Sequence, residues 1–140
     1  MRTFKLCSEL IDMYTKQFRS IVEFAVPVWQ GNITLAEKQD IERVQKVALH
    51  IILGDKYENY RNALKITKLD SLEARRKHIC TNFARKAEKN TKHRNWFKLK
   101  PNRNTRKEPD KYWNPIARTN RLTNSPICYL TRLLNNYHVK

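Results

Sequence analysis

Glycine is almost missing from this chain, with two in 140 residues, Gly31 and Gly54. A turn-rich β fold consumes far more, so the composition points to helices. Acidic residues are scarce as well: 13 Asp and Glu stand against 29 Lys and Arg, a formal charge of +16. Such a chain repels itself unless an anion neutralises it, and nucleic acid is the first candidate partner. A membrane surface is the second anion, but there is no uninterrupted apolar run of spanning length, and Met1-Arg2-Thr3-Phe4-Lys5 lacks the apolar core of a signal peptide. No membrane partner is therefore expected. Cysteine is limited to Cys7, Cys80 and Cys128, an odd and widely spaced set. That pattern suggests reduced thiols in an intracellular protein, nuclear or cytoplasmic and not secreted, in which the sequon Asn32-Ile33-Thr34 is idle.

The chemistry of catalysis is missing too. Polymerases hold two metal ions with paired aspartates, and here Asp12, Asp40, Asp55, Asp70 and Asp110 are never adjacent. There is no glycine-rich phosphate loop. His50, His78, His93 and His138 fail the spacing of a zinc site: His78 and Cys80 are two apart, which on a helix aims them at different faces, and no second pair accompanies them. No catalytic residue, metal site or cofactor is expected in this chain.

What the chain does have is a rich apolar stretch, Tyr14 to Trp29, around which the other segments read as covers. From Cys7 the apolar positions Leu10, Ile11, Tyr14, Phe18, Ile21, Val22 and Ala25 recur at threes and fours, predicting a first helix over about Lys5 to Ala25 that Pro27 stops. Asp12 and Lys16 are spaced as a helix pair, as are Arg19 and Glu23 in the less favourable order. Thr34 followed by Glu37 forms a capping-box pattern that opens a second helix, with Ile41, Val44, Ala48, Ile51 and Ile52 on its apolar face and Gly54 as its C-terminal cap. A short third helix spans Tyr60 to Ile66. Asp70 with Glu73 repeats the capping logic and opens a fourth, Leu72 to Lys89. The expected core comprises Phe18, Val22, Pro27, Trp29, Val44, Ala48, Arg76 and Phe83, with Trp29 covering Val44 and Ala48.

On the fourth helix, Leu72, Ile79, Phe83 and Ala87 share one side while Arg75, His78, Asn82, Lys86 and Lys89 share another. Residues 72–140 carry 18 basic and 4 acidic side chains against 11 and 9 in residues 1–71, so the anion-binding half is the C-terminal one. The candidate nucleic-acid contacts are Arg75, Lys86, Lys89, Lys92 and Arg94. Arg76 falls within the apolar arc and reads as a partly buried ion-pair partner of Glu23, Asp55 or Glu58. Trp96 and Phe97 are read as a hydrophobic pair closing the core, with base stacking as the other role. Lys98 to Glu108 loses all apolar period and reads as a flexible linker, and Ile127 to Leu134 as a short terminal helix. The fold expected is all-α: a bundle of about four helices over residues 1–97, and a basic, partly disordered tail over 98–140.

Several blocks carry a family resemblance. Gln17-Phe18-Arg19-Ser20-Ile21-Val22-Glu23-Phe24-Ala25-Val26-Pro27-Val28-Trp29 resembles the "IRS-x-LEYA-x-PVW" block downstream of the palm in reverse transcriptases of jockey-like non-LTR retrotransposons. Leu35-Ala36-Glu37 with Ile41 to Gly54, Tyr57 to Leu64, Leu69 to Arg76, Arg118 to Arg121 and Ser125 to Asn135 are similar, in order, to that family's later blocks. The resemblance implies a thumb and its downstream region, a helical element that grips an RNA/DNA template-primer duplex beside the palm of an RNA-directed DNA polymerase. It places the catalytic aspartates, and the Mg²⁺ they would hold, upstream of residue 1. The rival readings are a stand-alone basic helical nucleic-acid-binding protein and a degenerate or interaction product of a truncated element.

Overall fold

The computed structural model describes residues 2–101 and 111–138. The described residues are mostly helical, without a strand, so the chain is an all-α protein. In order come α1 (Arg2–Met13), a π-helical turn (Tyr14–Phe18), α2 (Arg19–Val22), α3 (Val26–Trp29), α4 (Leu35–Leu53), a 3-10 turn (Gly54–Lys56), α5 (Tyr60–Thr67), α6 (Leu72–Lys89), a second 3-10 turn (Arg94–Trp96), α7 (Asn120–Thr123) and α8 (Pro126–His138). They form two compact units, each discontinuous in sequence: residues 1–25 with 33–76, and residues 26–32 with 77–140. The division at residue 97 expected from composition is thus replaced by one that cuts the chain at Ala25, Asn32 and Arg76.

The first unit closes on Leu49, Leu53 and Ala63, with Cys7, Tyr57, Tyr60, Leu64 and Leu69 packed around them. The helix leading into it is wound irregularly. Thr15 returns its hydroxyl to the carbonyls of Ile11 and Asp12, and Ser20 to those of Lys16 and Gln17, competition of the kind that bends helices around a π turn. The helix then stops earlier than expected. Ala25 takes φ +50°, so the break precedes Pro27, which sits inside the first turn of α3, where its missing N–H has no helical acceptor to satisfy. α4 opens on the expected capping box, Thr34 with Glu37. α6 begins where expected but is capped differently: Ser71 Oγ accepts from the Ala74 amide, and the Glu42 carboxylate, from α4, accepts from the amides of Leu72 and Glu73 at 3.2 and 2.9 Å. Asp70 lends only its carbonyl, to Gln45 Nε2 at 3.0 Å.

Three core assignments are overturned. Phe18 is 53% exposed, Val44 49% and Phe83 39%. Each lies on an apolar face that continues past the part its neighbours cover, because a helix period marks a face without marking its edge. Val22, Pro27 and Ala48 are half-buried. Trp29 packs against the cluster of the second unit, whereas Val44 and Ala48 face α1 and the π turn in the first, so the expected cover of those two residues by Trp29 is not formed.

That second cluster gathers Val26, Cys80, Ala84, Ala87, Phe97, Tyr112, Leu130 and Leu134. Much of the expected tail is therefore core. The Asn135 amide clamps the backbone of Tyr112, its Oδ1 accepting from the Tyr112 amide at 2.9 Å and its Nδ2 donating to the Tyr112 carbonyl at 3.0 Å. Leu99 bridges Tyr112 in antiparallel fashion, which returns the chain to the cluster. The remainder of the expected linker, residues 102–110, lies outside the described residues. Gly31 is packed so closely that a Cβ there would run into the Asn124 carbonyl oxygen and come within 3.0 Å of Tyr129 Cβ.

Buried charge departs from expectation at Arg76. The side chain is fully buried, and Nε and both terminal nitrogens meet no acceptor among the described residues. Glu23, its first expected partner, is taken by others: Arg19 Nε donates to Oε1 at 2.8 Å, while Arg75 Nε and an Arg75 terminal nitrogen donate to its two oxygens at 3.0 and 3.1 Å. Burial alone would raise the Glu23 carboxyl, but the hydrogen bonds and charges of Arg75 and Arg19 outweigh it and hold it below the ordinary carboxylate value of 4.5. The stability Glu23 contributes is then full above that value and is lost as the pH falls through the lower, folded one. Glu23→Gln should cost on the order of 3 kcal/mol at pH 7, and the gap to the parent should narrow when denaturant unfolding is repeated near pH 3. An equal gap at both pH values would remove the ion pairs as its cause. Arg76→Met should move the other way, raising unfolding stability by about 1 kcal/mol or more, since it deletes an uncompensated charge; a loss in the same titration would show that the guanidinium has a partner.

Candidate nucleic-acid interface

In the second unit the C-terminal half of α6 sets Cys80, Ala84 and Ala87 into the core, at spacings of four and three. The residues between them stay outside, which leaves Arg85, Lys86 and Lys89 on the uncovered side. The helix ends in a turn organised by Asn90. Its side-chain oxygen accepts from the Lys92 amide at 2.9 Å and its carbonyl accepts from the amides of His93 and Arg94 at 3.1 and 2.9 Å. The chain thereby curls back, and buried Phe97 anchors it, with its ring 5.9 Å from that of Tyr112.

The curl encloses a cavity of about 470 Å³ lined by Arg85, Glu88, Lys89, Arg94, Phe97, Leu99, Lys111, Tyr112 and Tyr137. A shallower depression of about 200 Å³ between Asn82, Arg85, Lys86 and Lys89 shares two of those cations. Glu88 does not offset the cations freely. Its Oε1 accepts from Lys111 Nζ at 2.8 Å and from the Tyr112 hydroxyl. The Glu88 hydrogen bond raises the Lys111 ammonium, and burial followed by Glu88 raises the Tyr112 phenol, so both keep their protons across the neutral range. Arg85 stacks its guanidinium over the Tyr137 ring, 4.7 Å from the centroid.

Of the expected contacts, Lys86, Lys89 and Arg94 come together around these two hollows, and Lys92 is exposed on the intervening turn. Arg75 does not join them: it is half-buried in the first unit and committed to Glu23 through two hydrogen bonds, so it is corrected from a phosphate ligand to an ion-pair residue. Sequence reasoning missed Arg85, Lys111 and Tyr137. Arg85 carried a signal, because it lies four residues before Lys89 on the same helix. Lys111 and Tyr137 carried none, since their places depend on contacts 23 and 52 residues along the chain.

Trp96 and Phe97, read as one pair, divide. Phe97 closes the core, while Trp96 is 39% exposed, tilts against the His93 ring at 4.4 Å, and lines an apolar hollow of about 320 Å³ with Pro27, Val28, Phe83 and Ile127. The three cysteines are free thiols, with Cys80 and Cys128 buried. Among the described residues no group of three His, Cys, Asp or Glu side chains is placed to hold a metal ion, and no helix is long and apolar enough to cross a membrane.

Compared with protein families, with curated proteins and with solved structures, the chain matches none of them. The different fates of the basic residues give a direct test. Arg75→Gln should lower stability by about 1 to 3 kcal/mol, whereas Lys86→Gln and Lys89→Gln should each stay within about 0.5 kcal/mol of the parent. Thermal and denaturant unfolding of the three variants separates the roles, and equal losses would erase the distinction.

Proposed function

We propose that this chain is a helical nucleic-acid-binding module that holds the phosphate backbone without reading sequence. The observation that carries the proposal is the set of cations around the two hollows of the second unit, where Arg85, Lys86, Lys89 and Arg94 have no carboxylate within ion-pair distance among the described residues. Cations fixed along a helix and the turn that follows suit phosphate contacts, which position a duplex and carry no sequence information. The resemblance to the thumb of a jockey-like non-LTR retrotransposon reverse transcriptase agrees with this reading. On that reading the duplex is an RNA/DNA template-primer hybrid, and polymerisation belongs to a palm with its own aspartates and Mg²⁺.

A second reading, an interaction module, rests on a groove in the first unit. Leu10, Met13, Phe18, Val44, Val47 and Ile51 line a hollow of about 300 Å³ with scarcely any polar surface, and Ile51 is 70% exposed. An apolar hollow of this kind suits a protein partner, such as the palm, and not a phosphate backbone.

Binding to an RNA/DNA duplex should be indifferent to sequence and fall steeply with salt, each neutralised phosphate adding about 0.7 to 0.9 to the slope of log K against log salt. Replacing Lys86, Lys89 and Arg94 together by Gln should flatten that slope by about two to three while helicity is unchanged, as measured by salt-titrated anisotropy and circular dichroism. An unchanged slope in the triple variant would take this surface out of the binding reaction.

A further inference from the structure

The larger hollow differs from a plain cationic surface because its floor is aromatic. We propose that it is a subsite for one unpaired nucleotide, taking the phosphate among Arg85, Lys89 and Arg94 and the base against Tyr137; this rests on the nucleic-acid reading and names the part of the nucleic acid the site prefers.

Size supports it first. About 470 Å³ is within the range of small-ligand cavities, roughly 300 to 1,000 Å³, and a duplex cannot enter it. Charge supports it next. Lys111 and Glu88 neutralise one another at 2.8 Å, so the carboxylate that would repel a phosphate is already answered, while Arg85, Lys89 and Arg94 have no such partner among the described residues. Stacking supplies the third element. The Arg85 guanidinium already lies over the Tyr137 ring, and Tyr137 as a residue is 46% exposed, leaving surface on which a base can lie. A free inorganic anion would use the cations and leave the aromatic floor idle; a nucleotide uses both.

The test compares labelled probes at one salt concentration with the full chain: a blunt duplex, the same duplex with a three-nucleotide overhang, and that overhang made abasic. Nucleoside monophosphate and inorganic phosphate serve as competitors. The overhang should bind about tenfold more tightly than the blunt duplex, as one stacked base would provide, and the abasic overhang should lose most of that advantage. The monophosphate should compete at concentrations where phosphate does not. Tyr137→Ala, at an exposed position and checked for helicity by circular dichroism, should erase the preference while duplex binding persists. Lys86→Gln, outside the cavity, should weaken every probe alike and leave the ratio unchanged. Equal affinity for all three probes with a normal salt slope would overturn the nucleotide subsite and spare the backbone reading, as would equal competition by phosphate and monophosphate. Failure to bind any probe would overturn both.

Discussion

The position of α6 depends on one carboxylate. Glu42, on α4, accepts from two amides in the first turn of α6 and from the Tyr60 hydroxyl of α5 at 3.1 Å, so a single anion joins three helices of the first unit. The helix start favours it twice over: its amides lack intrahelical acceptors, and its dipole places partial positive charge there. Burial and the neighbouring Glu42 push the Tyr60 phenol well above its usual range, so the hydroxyl remains a donor throughout the physiological range. The residues that follow are placed unit by unit. Arg75 meets Glu23, Arg76 turns inward, and further on Cys80, Ala84 and Ala87 reach the core of the second unit while Arg85, Lys86 and Lys89 remain outside it. The cationic surface is thus the complement of the buried stripe, and it needs no separate signal in the sequence.

That dependence separates what the sequence discloses from what it conceals. The capping box of Thr34 and Glu37, the helix from Leu72 to Lys89 and the short helix at Tyr60 are local, and each can be read within a few residues. The use of Glu42 as a cap is 30 residues distant from Leu72, and nothing near Asp70 excludes the more obvious local alternative. Periodicity placed Phe18 and Val44 inside, whereas the residues the fold buries in the first two helices include Arg19, Gln45, Leu49 and Leu53, none of them on the expected apolar faces. It cannot do otherwise, since it records which residues lie together and not whether a neighbour covers them. The division into two units is hidden for the same reason: Val26 to Asn32 is continuous with the first helix in sequence but belongs to the cluster formed with α8.

Charge composition has an analogous limit. The count of basic residues shows only that positive charge is concentrated in the C-terminal half, and it treats every cation as available. Contacts in the fold withdraw some: Arg19 and Arg75 are held by Glu23, Lys111 is held by Glu88, and Arg76 is enclosed without an acceptor among the described residues. Arg75 illustrates how easily the two populations are confused, because on the helix wheel it lies with Lys86 and Lys89. What distinguishes it is a carboxylate 52 residues away.

The withdrawals sharpen the functional argument. Here Arg85 and Lys89 line both hollows, Arg94 is brought to the larger one by a turn whose backbone Asn90 fixes, and the one carboxylate in the wall is neutralised by a lysine rather than left to oppose an incoming anion. Holding Lys111 and the Tyr112 hydroxyl on Glu88 orders three side chains, a cost in conformational freedom that solubility does not require. The wall screens its own acid while Arg85, Lys89 and Arg94 meet no carboxylate among the described residues, which is the condition the proposed phosphate contact needs, and the Tyr137 ring beside them is what the proposed nucleotide subsite adds to it.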